Sequence, residues 1–183
     1  MIETLLLVLL FGLLIGGIII FNQLVSNRNR VKAAWSDIDV QLQRRHDLIP
    51  RLVEAVKAYA GYEKATLTAV TELRAQSERA PHLAEKARIE QEIETGLHRL
   101  IAVAEAYPDL KADQNFLDLQ KELTDVEDHL QYARRYYNGS VRTYNTRIES
   151  FPDLLVARPL RFSQREFFDA GDSVQHVPKV SLS

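Results

Sequence analysis

The feature that constrains this chain most is an uncharged apolar run near its N-terminus, from Thr4 to Phe21 (TLLLVLLFGLLIGGIIIF). The next ionisable group along the chain is Arg28. As a helix that rises about 1.5 Å per residue, the run would be roughly 27 Å long, close to the thickness of a bilayer's hydrocarbon core. We therefore predict a transmembrane helix at residues 4–21. It would be preceded by a short extracytoplasmic N-terminus, residues 1–3, and followed by one domain in water.

The charges that flank the run predict its orientation. Arg28, Arg30 and Lys32 form a juxtamembrane basic cluster after it, whereas only Glu3 precedes it. Because Lys and Arg resist translocation, we expect the N-terminus outside and the domain in the cytoplasm. A cleaved signal peptide is the alternative, but it would carry basic residues where Glu3 stands, and a cleavage site with small residues, which the segment after Phe21 does not offer.

Two glycines in the run are a candidate helix–helix contact. Gly12 and Gly16 have the small-xxx-small spacing that lets two transmembrane helices approach closely. This spacing is compatible with a homo-oligomer. The alternative is that they have no special role, since glycine is common in membrane helices.

Beyond the run, apolar residues recur three and four positions apart, which predicts an all-α domain over residues 22–152. Amphipathic seams need partners, and short connections make neighbouring helices antiparallel, so we expect an elongated antiparallel helical bundle of about four long helices. The first seam keeps its register across Pro50, which predicts one helix bent near Leu48 and Ile49, the alternative being a break there into two helices. The segment between Asn22 and Asn27 contains no Pro or Gly, which favours one continuous helix with the transmembrane span. The members of the first seam are Val31, Trp35, Ile38, Leu42, Ile49, Leu52, Val56 and Tyr59.

Three further helices follow from the same spacing. The second is predicted at about residues 62–78, after Gly61, and the third from Leu83 to Tyr107, stopped by Pro108. The fourth is predicted from Phe116 to Ile148. It passes through Asn138-Gly139, where the apolar spacing continues in phase despite a turn-forming pair.

The C-terminal tail, residues 153–183, has no regular apolar spacing. Four of the seven Phe residues of the chain lie between 151 and 168. Ser163 and Glu166 have the spacing of a capping box, which predicts a short helix carrying Phe167 and Phe168. Such a tail would either cover one end of the bundle or bind a membrane surface or a partner protein.

One charged residue interrupts the first apolar seam. Arg45 falls among Leu42, Ile49 and Leu52, where an unpaired guanidinium would be costly to bury. Glu127 on the fourth helix could pair with it, or its long side chain could reach water out of the interface. Either arrangement gives Arg45 a structural role.

The sequence offers no constellation for catalysis, cofactor binding or metal binding. No Glu has a His three residues later, as di-iron bundles require, and the acid–His pairs at a spacing of four are better read as solvated pairs. These pairs are Glu78–His82, Glu94–His98 and Asp125–His129. Phosphate loops, nucleophile elbows and HExxH motifs are missing. The chain has no Cys, and its net charge of −2 gives no basic excess for nucleic acid.

Several long stretches resemble the LemA family of bacterial proteins. They include RRHDLIP at residues 44–50, AYPDLKADQNFLDLQKELTDVEDHLQYARRYYN at 106–138 and REFF at 165–168. The resemblance implies a single-pass membrane protein with a long antiparallel helical bundle. We expect it in the bacterial inner membrane. The resemblance implies no reaction and no catalytic or binding residues. Relatives in magnetosome membranes hint at a role in membrane organisation.

These observations together predict a non-enzymatic scaffold or adaptor without a cofactor. Its partners would be the membrane lipid around the anchor and proteins not yet identified. The alternative is a membrane-surface organising or remodelling protein that binds anionic lipid through the basic cluster and the Phe-rich tail. A metal or small-ligand bundle is the remote third alternative.

Overall fold

A computed structural model of the chain describes residues 1–59, 64–104 and 106–168, and these residues are almost entirely helical. No strand occurs within them, so the predicted all-α fold is confirmed. Four helices are long and two are single turns. In chain order they are α1, Ile2–Tyr59; α2, Lys64–Arg79; α3, Leu83–Ala104; α4, Pro108–Lys111; α5, Gln114–Glu149; and α6, Leu154–Ala157.

Helix α1 is a single helix of 58 residues that contains both the apolar run and the first seam. It continues through Pro50, as the unbroken register predicted. Proline removes one hydrogen bond but leaves the flanking turns intact, and apolar residues on both sides of Pro50, Ile49 and Leu52, are fully buried. The predicted bend at Leu48 and Ile49 stays a prediction.

The chain divides into two compact units, each described here by itself. The first contains residues 1–45 and 124–167, which include the start of α1, most of α5, and α6. The Trp35 ring packs edge-on against Tyr137 with centroids 5.7 Å apart, and Gln23 is hydrogen-bonded by Arg147, so α1 and α5 are antiparallel here. The buried apolar residues along this contact are Leu24, Val31, Ala34, Ile38, Leu42, Val126, Leu130, Tyr137, Val141, Tyr144 and Ile148.

The second unit contains the described residues between 46 and 123, together with Phe168. In it α2 and α3 form an antiparallel hairpin, in which Val70 lies against Gly96 and Ser77 against Glu90. Apolar residues of every helix in this unit are buried in its core. They include Leu48, Ile49, Leu52, Val56, Leu67, Val70, Ala87, Ile89, Ile93, Leu97, Leu100, Leu110, Phe116, Leu119 and Leu123.

Two predicted boundaries were wrong around Pro108. Helix α3 ends at Ala104 rather than at Tyr107, and Pro108 begins the short helix α4 instead of only stopping α3. The fixed φ of proline suits the first position of a helix, where its missing N–H has no intrahelical partner to lose. Helix α5 then begins at Gln114, capped by the Asp113 carboxylate, which accepts the Phe116 N–H at 3.0 Å. The predicted start of the second helix, at Gly61 and Tyr62, lies outside the described residues.

The helix predicted from the Ser163–Glu166 capping box was also wrong. Residues 162–168 are not helical, and in the described part of the tail the helix is α6, which begins nine residues before Ser163. Side chains of α5 satisfy the backbone of this segment instead: Asn145 accepts the N–H of Arg165 at 2.9 Å and donates to its carbonyl at 2.8 Å. A backbone whose polar groups are bonded in this way gains little from closing a helical turn.

Candidate functional site

The N-terminal part of α1 is the first functional element. The most apolar stretch of the helix is not buried at all, and the helix is long and apolar enough to cross a membrane. Gly12 is exposed and Gly16 partly so, and a Cβ placed on either would meet no atom within 4 Å. In this single chain both glycines therefore leave room on the helix surface for a neighbour.

The three residues of the juxtamembrane basic cluster differ in their exposure to solvent. Arg30 and Lys32 are exposed, whereas Arg28 is half-buried with its guanidinium carbon 5.3 Å from the centre of the Phe162 ring. Such cation–π contacts hold a guanidinium against an aromatic face. Two of the three cations therefore point into solvent, while the third fixes the tail to α1.

Arg45 is completely buried and forms an ion pair inside the first unit. Its Nη1 donates to Oε1 of Glu127 at 2.6 Å, and the Glu127 side chain is 18% exposed. Of the two alternatives for Arg45, the structure contains the pairing with Glu127, since a side chain that is 0% exposed does not reach water. A charge-assisted bond of this length joins α1 to α5 at one register.

A second buried polar cluster, His46–Glu90–Ser77, was not predicted. Glu90 is completely buried on α3, and its Oε1 accepts a hydrogen bond from Ser77 Oγ and another from His46 Nε2, the latter at 2.8 Å. The other ring nitrogen, Nδ1, lies 3.9 Å from Glu78. The cluster joins α1, α2 and α3 within the second unit, where buried polar groups are tolerated because they are paired.

A sequence signal for this cluster did exist. Glu90 stands three residues after Ala87 and three before Ile93, which places it in the apolar seam of α3 as Arg45 stands in that of α1. Its partner could not be deduced, because His46 lies 44 residues away and nothing in the spacing links the two.

The extended tail segment, residues 162–168, is held along α5 by side-chain hydrogen bonds. Besides Asn145, the Tyr137 hydroxyl donates to the carbonyl of Glu166 at 2.9 Å. Burial raises the pKa of Tyr137, with nearby Arg165 opposing and Glu166 reinforcing the rise. Burial likewise raises the pKa of Tyr144, against the lowering effects of Arg165 and Arg28. Both hydroxyls therefore stay protonated across the neutral range.

The acid–His pairs do not assemble into ligand sets. His129 bonds the backbone carbonyl of Asp125 at 2.7 Å rather than its carboxylate. Glu78 forms an ion pair with Arg74, whose Nε lies 3.2 Å from Oε1 of Glu78. Across residues 1–59, 64–104 and 106–168, the structure brings together no group of three or more His, Asp or Glu side chains that could hold a metal ion.

Over the residues that the structure describes, the fold and these sites define a class: an all-α protein with one candidate transmembrane helix at its N-terminus and two buried polar clusters that join its helices. The chain belongs to the LemA family, whose model matches residues 34–182.

Curated relatives agree with this assignment. The chain is 26% identical to Protein LemA of Metamycoplasma hominis, over 90% of this chain and 78% of that protein. It is 25% identical to Magnetosome protein MamQ of Magnetospirillum gryphiswaldense and 24% identical to Magnetosome protein MamQ 2 of Paramagnetospirillum magneticum. Both of these matches cover 87% of this chain and 70% of the relative.

Proposed function

We propose that this protein is a non-enzymatic scaffold or adaptor that presents a helical bundle to partner proteins at a membrane. The observation that carries the proposal is the continuity of α1. Leu24, three residues beyond the apolar run, is already completely buried in the first unit. No flexible linker separates the candidate anchor from the packed helices, so this unit would be held at a fixed distance from the bilayer.

The surface we propose for a partner is the exposed face of α5 that carries Tyr132 and Tyr136. These residues are four positions apart, so they lie on one side of the helix, and both are more than half exposed. Arg135 lies over the Tyr132 ring, 4.7 Å from its centre. Tyr and Arg, together with Trp, are enriched among the residues that contribute most energy to protein interfaces.

Site-directed photocrosslinking in intact cells tests this surface. A photoreactive amino acid at position 132 in the full chain should give discrete crosslinked proteins. The same residue at position 117, which replaces the exposed Leu117 elsewhere on α5, serves as the control. Loss of the position-132 adducts on Tyr136→Ser would support the interface. Identical adduct patterns at the two positions would argue against it.

We also propose that the protein is located in the bacterial inner membrane with its N-terminus outside and its bundle in the cytoplasm. The proposal is supported by Arg30 and Lys32, which are exposed about two and a half to three helical turns after the span and would resist translocation. Protease added to intact spheroplasts should leave residues 28–183 undigested until the cells are lysed. Digestion of the bundle in intact spheroplasts would reverse the orientation.

Self-association of the anchor is a further part of the proposal. Gly12 and Gly16 leave space for a second helix, as small-xxx-small contacts require. Replacing both with Ile should abolish crosslinking between copies through the span, whereas Gly17→Ile, beside the motif, should preserve it. Equal crosslinking in the two variants would remove these glycines from the contact.

A membrane-organising function is the second candidate. It is favoured by the exposed cations Arg30 and Lys32, which are placed to meet anionic headgroups, and by relatives named as magnetosome proteins. Reconstituted full-length protein would then change the shape of anionic vesicles seen by electron microscopy, and Arg30→Glu with Lys32→Glu would prevent the change. Vesicles that keep their shape with the wild-type protein would leave the scaffold as the better account.

A further inference from the structure

A second element of the protein has the character of a membrane contact. The α6 turn, defined as residues 151–161, connects the end of α5 to the extended tail segment. Phe151 is 80% exposed, the highest value for a large apolar side chain beyond the apolar run among the described residues. Leu155 is 66% and Leu160 54% exposed in the same turn. Exposed apolar side chains gathered in one short segment are typical of an interaction surface.

The α6 turn begins and ends beside the C-terminal end of the apolar run. Just before the turn, Arg147 hydrogen-bonds Gln23 of α1. Just after it, the Phe162 ring packs edge-on against Phe21, the last residue of the run, with ring centroids 6.1 Å apart. The turn is therefore fixed near the level at which α1 would leave the hydrocarbon core.

The apolar side chains of the turn face away from the protein. Asp153 and Ala157 are buried, and the Asp153 carboxylate accepts a hydrogen bond from Nε of Arg147 at 2.6 Å. Phe151 and Leu155 each lie two residues from these buried positions, which in a helical turn is close to the opposite side. The Arg147–Asp153 pair thus holds the polar side of the turn inward and the apolar side outward.

The charges of the turn match the headgroup layer. Arg158 and Arg161 are both exposed, and no acidic residue of the turn is exposed with them. Arginine can place its aliphatic stem along apolar surface while its guanidinium stays among phosphates. Exposed apolar side chains with adjacent cations are the composition of segments that lie in a membrane interface.

We propose that the α6 turn lies in the interface of the bilayer that contains the apolar run. Phe151 and Leu155 enter the upper acyl region, and Arg158 and Arg161 meet lipid phosphates. A single transmembrane helix is free to tilt and to rotate about its axis, and a second contact beside that axis restricts both. The α6 turn would thereby fix which side of the first unit faces the membrane. This inference depends on the anchor alone and not on the scaffold function or on its orientation.

Depth measurement by spin labelling tests the proposal on the full chain. The protein has no Cys, so Leu155→Cys gives one labelling site. Tyr132→Cys is the matched control, because Tyr132 is 68% exposed and lies in the middle of α5. Both labelled proteins are reconstituted in vesicles of phosphatidylethanolamine and phosphatidylglycerol. Collision rates are then measured with oxygen, which concentrates in the acyl region, and with a water-soluble nickel chelate.

The expected result is a several-fold higher ratio of oxygen to nickel collisions at position 155 than at position 132. Phe151→Cys should repeat the result if Leu155→Cys disturbs the fold, which circular dichroism reports. Equal ratios at all three positions would overturn the proposal. So would a low oxygen-to-nickel ratio at position 155 accompanied by spin–spin broadening that disappears on dilution with unlabelled chains, because a second copy of the protein would then cover the turn.

Discussion

The guanidinium of Arg45 lies 2.6 Å from the carboxylate of Glu127, and the arginine that makes this bond is completely closed off from solvent. The pair joins α1 to α5 inside the first unit. Bringing a guanidinium out of water costs several kcal/mol, so a buried pair adds little net stability but penalises every arrangement that separates its members. Its main contribution is therefore to the register of α5 against α1.

Removing one partner of this pair should lower the free energy of unfolding far more than replacing both partners with apolar residues. Glu127→Ala removes the carboxylate that accepts the hydrogen bond from the buried Arg45 and should lower the free energy of unfolding by about 3–5 kcal/mol. Arg45→Met combined with Glu127→Leu replaces the pair with apolar side chains and should recover most of that loss. Denaturant unfolding of the full chain in mild detergent, followed by circular dichroism, measures both effects.

The exposed ion pair between Arg51 and Glu122 provides the control for these variants. It joins the same two helices at 3.2 Å, but both side chains are at least half exposed. Glu122→Ala should therefore change the free energy of unfolding by no more than about 1 kcal/mol. Similar losses for Glu122→Ala and Glu127→Ala would mean that burial of Arg45 has no special consequence.

Removing the carboxylate of Glu90 should also destabilise the protein strongly. Glu90→Ala would leave His46 and the Ser77 hydroxyl buried without their shared acceptor, at a cost of about 1–3 kcal/mol for each group. Glu92→Ala on the same helix breaks only an exposed pair with Arg88 and should cost less than about 0.5 kcal/mol. Thermal unfolding in detergent distinguishes the two, and equal melting temperatures would contradict the role of the cluster.

The long helices could be predicted from the sequence because their signal is local and repeated. The seam from Val31 to Val56 repeats the helical spacing of apolar residues over several turns, so the helix could be predicted despite Pro50. The boundary near Pro108 was mispredicted because a proline that stops one helix is equally suited to begin the next. Sequence spacing alone does not distinguish these two uses.

The tail and the buried clusters depend on pairings between distant residues, and so they were predicted less well. Ser163 and Glu166 have a helix-start pattern, but Asn145, about twenty residues earlier, satisfies the backbone of Arg165 and keeps the segment extended. The polar position of Arg45 limited its partners to few candidates, and Glu127 was among them. For Glu90 no such reasoning singled out His46.

Asn145 should control whether the extended tail segment stays on α5. Asn145→Ala removes both hydrogen bonds to the backbone of Arg165, which should speed deuterium exchange at the Arg165 amide by at least about tenfold if one net bond of roughly 1.4 kcal/mol is lost. Arg142→Ala, an exposed position one turn earlier, should leave that exchange unchanged. Unchanged protection in Asn145→Ala would mean that other contacts, among them the hydrogen bond from Tyr137 to Glu166, hold the segment without Asn145.

Stability should fall at alkaline pH because of the buried tyrosines. The pKa of Tyr137 and of Tyr144 is raised in the folded state from 10.0, so the folded protein binds their protons more tightly than the unfolded chain does. The stabilisation is complete below about pH 10 and is lost as pH rises through the folded pKa. Melting temperatures of the wild type and of Tyr137→Phe with Tyr144→Phe, measured between about pH 9 and 11, should converge or cross, because phenylalanine has no proton to lose. If the melting temperatures of the two proteins change with pH in parallel, the raised pKa of Tyr137 and Tyr144 is contradicted.

Two helical glycines should respond to alanine with opposite signs. A Cβ on Gly96 would lie 2.6 Å from Cγ2 of Val70, and because a β-branched side chain has few rotamers, α2 and α3 would have to move apart. Such overpacking costs about 1–3 kcal/mol, which exceeds the gain of roughly 0.5–1 kcal/mol from replacing glycine inside a helix. Gly139→Ala meets no atom within 4 Å and should show that gain alone.

Thermal unfolding should therefore rank Gly139→Ala above the wild type and Gly96→Ala below it. Val70→Ala should relieve the cost of Gly96→Ala in the double variant, and a Gly96→Ala protein more stable than the wild type would show that the two helices are not in close contact at this point.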